Sequence, residues 1–249
     1  MMPTQTISGK LLFIGAHPDD IEIACGGTAA KCVARAQQIA FAIASCEIDV
    51  ARAKKRELEA TKAAKLLNLS QRNGNLFFGN LPDTQLHEKQ KELRDWMKGI
   101  AGAFNPDTVF VHRLDKHTDH QAVHQVAIGV FQANNVFLYK VPRPSPDDPF
   151  TPNHVEDISD FITTTIALCK CHTSQDPIYV SKDSVETNSH QCFIEWYGRH
   201  NLKSKGYAEG FIIHASRSIL NEVTRPDKLL PNYNVRVIKK ADGTLKWED

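Results

Sequence analysis

The chain has 249 residues, 41% of them hydrophobic, enough to bury the core of one large α/β domain. Thirty Lys and Arg stand against 29 Asp and Glu, a balance with no bulk attraction to nucleic acid or anionic lipid, so a small neutral or weakly charged ligand is the expected partner. The longest apolar run near the N-terminus, Leu11 to Ala16, falls far short of the roughly 20 residues of a membrane span, and six cysteines without a regular framework suit reduced thiols, so no membrane partner and a cytoplasmic location are expected.

In chain order, β-rich runs alternate with segments of helical period, the pattern of βαβ units around a mostly parallel sheet. Strands are expected at Lys10 to Gly15, Gln38 to Ser45, Asn75 to Phe78, Thr108 to Val111 and Val136 to Lys140. Helices are expected at Gly27 to Gln37, Val50 to Asn68, Leu86 to Phe104 and Asp119 to Gln132. A proline-rich loop from Pro142 to Pro152 follows, then helices near Glu156 to Cys171 and Ser189 to Lys203. The reading is an open Rossmann-like α/β sheet with helices on both faces over residues 1–220. A C-terminal extension, 221–249, alternates around Ala241-Asp242-Gly243-Thr244 as a hairpin does, and this tail makes a homo-oligomer an expectation.

Open α/β sheets bind ligands at the carboxyl ends of their strands. The first strand runs into Gly15-Ala16-His17-Pro18-Asp19-Asp20 and the fourth into a segment from His112 to His120 that holds Asp115, His117 and Asp119. Two loops this rich in imidazole and carboxylate, on adjacent strands, suit one divalent ion. His17 and Asp20 can offer a nitrogen and an oxygen from one turn, with His120 the best third ligand. Asp19 is then left as a general base. His117 could stabilise an oxyanion and protonate a leaving amine, with Asp119 or Asp115 holding its ring.

These residues resemble the zinc-dependent de-N-acetylases called PIG-L or LmbE-like. The resemblance rests on Ala16-His17-Pro18-Asp19-Asp20 with Gly26-Gly27-Thr28, and on His117-Thr118-Asp119-His120. It extends through Arg56-x-x-Glu59, Phe78-Gly79 with Leu81-Pro82-Asp83, and Asn105-Pro106-Asp107, and more weakly through His172-Thr173-Ser174-Gln175 and Gly206 to Phe211. It implies a metal-dependent hydrolase that removes an acetyl group from an N-acetylated amino sugar or sugar conjugate. His17, Asp20 and His120 would hold Zn²⁺, Asp19 would be the base, His117 the acid and oxyanion donor, Asp119 its orienting partner, and Arg56 and Asp83 substrate contacts. Fe²⁺ or Co²⁺ would also suit the His₂Asp set.

Two other classes fit part of the pattern. Two histidines and a carboxylate describe the facial triad of non-haem iron oxygenases, though such triads do not normally keep a spare acid on an α/β sheet. A non-catalytic carbohydrate-binding protein would retain the site without turnover. Among the remaining residues, His124 reads as a core-edge histidine, and His112 is divided evenly between support of the site and no role. His172 and Gln175 either line a pocket or end a helix. The basic run from Arg52 to Arg56 reads as a solvated face, from which only the resemblance to the family exempts Arg56, and Gly26-Gly27 reads as a packing feature rather than an anion cradle.

Overall fold

The strands among the described residues, most of them short apolar, β-branched or aromatic runs, are β1 (Leu11–Gly15), β2 (Ile39–Cys46), β3 (Leu76–Pro82), β4 (Thr108–His112), β5 (Asn135–Tyr139), β6 (His154–Asp157), β7 (Ala208–Ala215), β8 (Arg236–Lys239) and β9 (Leu245–Glu248). The helices are α1 (Asp20–Ala34), α2 (Val50–Leu66), α3 (Gln90–Phe104), α4 (Thr118–Val130), α5 (Ile162–Cys169), α6 (Pro177–Val180) and α7 (Lys182–Phe193). They come from a computed structural model that describes residues 7, 9–142, 150–198, 205–215, 236–239 and 245–248.

Seven strands make one sheet in the order β3-β2-β1-β4-β5-β7-β6. The first five are parallel, and β7 and β6 add antiparallel at the edge. Because both faces of the parallel strands are covered, they read as continuous apolar runs, and every residue of β1 and β4 is buried. Leu11 and Phe13 point to the layer of α1, α2 and α5, while Leu12 and Ile14 point to that of α3 and α4. Phe13 and Phe110 stack at 4.4 Å between ring centroids, which fixes the centre of the first layer. The chain builds β1 to β3 outward in one direction and then returns to place β4 on the other side of β1. The connections after β1 and β4 therefore part, and a crevice opens at their carboxyl ends.

The expected α/β sheet is present, with local differences. Helix α1 begins at Asp20, seven residues before the expected start at Gly27. Gly27 lies inside it because a Cβ there would stand 2.6 Å from Ile158 Cδ1; the glycine admits a neighbour rather than starting the helix. The helix expected from Glu156 is a strand, β6, followed by a 3₁₀ turn (Ser159–Phe161) and only then α5. Helix α3 starts at Gln90 rather than Leu86. The helix expected from Ser189 is the end of α7, capped at its start by the Ser181 hydroxyl and continued by a π-helical turn (Ile194–Gly198). Most of the proline-rich loop (143–149) and the end of that last expected helix (199–203) lie outside the described residues.

Residues 1–216 and 217–249 form two compact units. In the second, β8 and β9 pair antiparallel with Val237 opposite Trp247. The turn expected at Ala241 to Thr244 lies outside the described residues. All six cysteines are unpaired. No helix among the described residues is long and apolar enough to cross a membrane.

Candidate metal centre

The β1 loop is a tight turn closed on itself. The His17 backbone N–H donates to Asp20 Oδ2 at 2.7 Å, and the Asp20 N–H donates to the His17 carbonyl at 3.4 Å. Asp19, at the N-cap of α1, has φ 128° and ψ −27°, a region that costs a non-glycine residue about 1–3 kcal/mol. Its carboxylate makes no capping bond and is left for other work. The Ser45 hydroxyl and backbone N–H, from β2, both donate to the Ala16 carbonyl and fix where the turn departs.

The β4 loop is held by Asp115 and by the start of α4. Asp115 Oδ1 accepts the His117 backbone N–H at 2.8 Å, and its Oδ2 lies 2.7 Å from His120 Nδ1. His117 caps α4, its Nδ1 accepting the Asp119 N–H at 3.3 Å. His112 ends β4 with its ring stacked 3.9 Å from that of His120, and its Nε2 accepts the Ala16 N–H at 3.0 Å. That bond ties the end of β4 to the β1 loop. Burial, then the neighbouring His120, lower the His112 pKa to about 4, so its ring is neutral.

The two loops meet at Asp20. Its Oδ2 lies 3.3 Å from His17 Nδ1 and its Oδ1 lies 3.6 Å from His120 Nε2. Each imidazole is backed by a carboxylate on its other nitrogen: His17 Nε2 is 3.0 Å from Asp83 Oδ1 and 3.3 Å from Asp119 Oδ2, and His120 Nδ1 faces Asp115. Carboxylate-backed imidazoles turned toward one point are how proteins orient metal ligands. His120 Nε2 is buried and has no hydrogen-bond partner, an arrangement that a ligand bond would complete. Three ligand-capable groups occur among the described residues, namely His17 with His117 and His120, Asp20 with His112 and His120, and His17 with Asp83 and Asp119. His112 is the weaker donor because its Nε2 lone pair already takes a backbone N–H. The expected set His17, Asp20 and His120 is not itself one of these groups, although each of its residues occurs in at least one of them, and two imidazoles with a carboxylate have the chemistry to suit a borderline divalent ion such as zinc.

Charge separates the two adjacent aspartates. Burial and the repulsion of Asp20 push the Asp19 carboxyl up to about 7, against the pull of Arg56, His172 and His17. Burial also raises Asp20, but His120 and His112 outweigh it and hold the group well below the usual carboxylate range. Burial disfavours charge on the His17 and His120 rings, yet hydrogen bonds to Asp119, Asp20 and Asp83 raise His17 well above its ordinary value. Asp20 and Asp115 likewise raise His120 to about 9.

The other expected site residues lie around this centre. Arg56, expected to contact substrate, is buried on α2 and donates through Nη2 to the Pro18 carbonyl and Asp19 Oδ1 and through Nη1 to Glu47 Oε1. Asp83, also expected to contact substrate, directs an oxygen to His17 Nε2, a bond that lowers its pKa to about 2. The Asp119 carboxylate accepts the N–H groups of Thr84 and Leu86 besides meeting His17; what reaches His117 Nδ1 from Asp119 is the backbone N–H. His124 bonds the His112 carbonyl at 2.7 Å, and His172 pairs with buried Glu22 at 3.4 Å. Glu59 holds Thr173 and Ser174, which explains the Arg56-x-x-Glu59 spacing as two anchors one turn apart. Mid-helix N–H groups of Gly27 and Thr28 do cradle an anion, the chain's own Glu209, whose carboxyl burial pushes up to about 7. Sequence reasoning passed over Glu47, although it immediately follows β2, a strand-end position like those of His17 and His112.

Residues 12–131 match the family model described as PIG-L: GlcNAc-PI de-N-acetylase. The uncharacterized deacetylase YaiS of Escherichia coli K12 is 28% identical over 184 residues, 66% of this chain and 90% of that protein. Among solved structures, N,N′-diacetylchitobiose deacetylase from Pyrococcus horikoshii has a TM-score of 0.64 at 21% identity, covering 84% of this chain and 86% of that one. GalB, the 4-carboxy-2-hydroxymuconate hydratase of Pseudomonas putida KT2440, has a TM-score of 0.66 at 17% identity, covering 84% and 98%. One neighbour is a deacetylase and the other a hydratase, so likeness of fold does not choose the reaction. The family match does bear on it, because the matched segment contains both loops that meet at Asp20, and in those loops the chain is similar to the PIG-L de-N-acetylases.

Proposed function

We propose that the protein is a metal-dependent amide hydrolase that removes the acetyl group from an N-acetylated amino sugar or sugar conjugate, with zinc as the metal. The observation that carries this reading is geometric: Asp20 lies 3.3 Å from His17 and 3.6 Å from His120 while its buried neighbour Asp19 faces Arg56, and the two carboxyls are shifted in opposite directions. Neighbouring acids set apart in this way divide into ligand and base.

His17, Asp20 and His120 would hold the metal. When bound, zinc supplies a Lewis acid that acidifies water and polarises a carbonyl. Asp19 takes a proton from the water that attacks the acetamide carbon; its Oδ1 is tied to Arg56, which leaves the second oxygen for that proton. Because His117 Nδ1 accepts a backbone N–H, a proton on that ring sits on Nε2, and this N–H donates to the oxygen on which negative charge develops. Collapse then breaks the C–N bond. The proton held by Asp19 passes to the departing nitrogen, giving acetate and a free amine.

The test is acetate release from a panel of N-acetylated amino sugars and their conjugates by metal-stripped protein, with and without Zn²⁺, under air and under argon. Release restored by zinc and indifferent to oxygen supports the hydrolase. Turnover that requires Fe²⁺, O₂ and a 2-oxo acid would replace it with an oxygenase, and sugar binding with no product would replace it with a carbohydrate-binding role.

A further inference from the structure

Arg56 is placed to do something other than touch substrate. Its side chain is 10% exposed, and both terminal nitrogens are already engaged by the protein. Nη2 alone bridges two consecutive groups of the β1 loop, the Pro18 carbonyl at 2.9 Å and Asp19 Oδ1 at 3.2 Å. Those two contacts bracket the Asp19 backbone at its disfavoured φ of 128°. A strained conformation persists only where its surroundings over-determine it. Behind Arg56 stands Glu47, directly after β2, whose Oε1 accepts from Nη1 at 3.0 Å. Glu47 also receives Arg52 Nη2 at 3.3 Å, but the Arg52 side chain is 71% exposed and adds little constraint.

We infer that Glu47 and Arg56 are positioning residues for Asp19: Glu47 sets the plane of the Arg56 guanidinium, and Arg56 clamps both the backbone turn and the carboxylate of Asp19. The inference rests on the reading of Asp19 as the base. It gives the end of β2 a part in the site alongside β1 and β4, and it assigns Arg56 by its contacts in this chain. A rigid planar fork is needed, because a single ammonium cannot meet Glu47, Pro18 and Asp19 from one stem in the same geometry. Glu47 needs only an acceptor oxygen at Oε1, so a glutamine can stand in for it and an alanine cannot.

The test compares E47A, E47Q and R56K with the wild-type protein by crystal structures of the metal-free forms and by kinetics of the zinc-loaded forms. In E47A and R56K the Asp19 backbone should leave its φ near 128° or its carboxylate should move by about 1 Å, a misplacement that lowers kcat about 10²-fold. KM should stay within about threefold and zinc content should not change, and E47Q should lie within about threefold of wild type in kcat. Asp19 unmoved in the E47A and R56K structures would overturn the inference. So would a raised KM with kcat intact, which would make Arg56 a substrate contact. If the wild-type protein releases no acetate, the deacetylase reading fails, and the metal-free structures still decide whether Glu47 and Arg56 position Asp19.

Discussion

The loops after β1 and β4 both deliver imidazole and carboxylate to one point, but they are built on opposite principles. The β4 loop is relaxed and internally bonded: Asp115 spans two of its groups, and His117, with φ −81°, caps α4 in an ordinary extended conformation. The β1 loop carries a strained aspartate at φ 128° and two adjacent carboxyls driven in opposite directions. The difference teaches that a site can divide its labour by loop. Under the proposed function the relaxed loop would orient a ligand and a donor, and the strained one would hold the base where a relaxed turn would not place it.

Breaking the strained side should cost most. Asp19→Asn keeps the size of the side chain and the acceptor oxygen for Arg56 but cannot take a proton, so kcat should fall about 10²- to 10⁴-fold while zinc content stays that of wild type, as read by elemental analysis beside acetate release. On the relaxed side, Asp115→Ala removes the partner of His120 Nδ1, and zinc affinity measured with a competing chelator should weaken about 10- to 100-fold.

The protonation states sharpen the same contrast. In the metal-free protein His120 is raised to about 9, so below that pH it carries a proton that a metal must displace. Zinc affinity should therefore rise with pH between about 7 and 9, by about tenfold per unit for each proton released, and calorimetry in buffers of different ionisation enthalpy should count those protons. An affinity flat across that range would mean that His120 is not a ligand. The smallest effect is expected at His124, which bonds the His112 carbonyl; His124→Ala should leave zinc stoichiometry unchanged and activity within a few-fold.

How much of this is legible in sequence follows from where the determinants lie. The parallel strands are legible because burial on both faces writes continuous apolar runs such as Leu11 to Ile14. The edge is not, because His154-Val155-Glu156-Asp157 is short and polar, and the helical spacing of Ile158, Ile162 and Ile166 draws it into the helix that follows. Gly26 and Gly27 look like a helix boundary, and only the packing of Thr165, Leu168 and Ile158 against them shows why they sit inside α1. At the site, the residues of both loops stand together in the chain and can be read directly. The partners of those residues cannot, because they come from other strand ends. Asp83 turns to His17 and Glu47 to Arg56, and neither pairing leaves a local pattern. Arg56 did leave one: it falls one turn before Ala60 on the buried face of α2, apart from the exposed Arg52 of the same basic run.

The most direct measurement is acetate release followed as zinc is titrated into metal-free protein at fixed N-acetylated amino sugar. A single centre built by the two loops predicts activity that rises from a metal-free baseline near zero and breaks at about one zinc per chain. Acetate release that is independent of zinc, or a chain that holds one zinc and releases no acetate from any member of the panel, would contradict it.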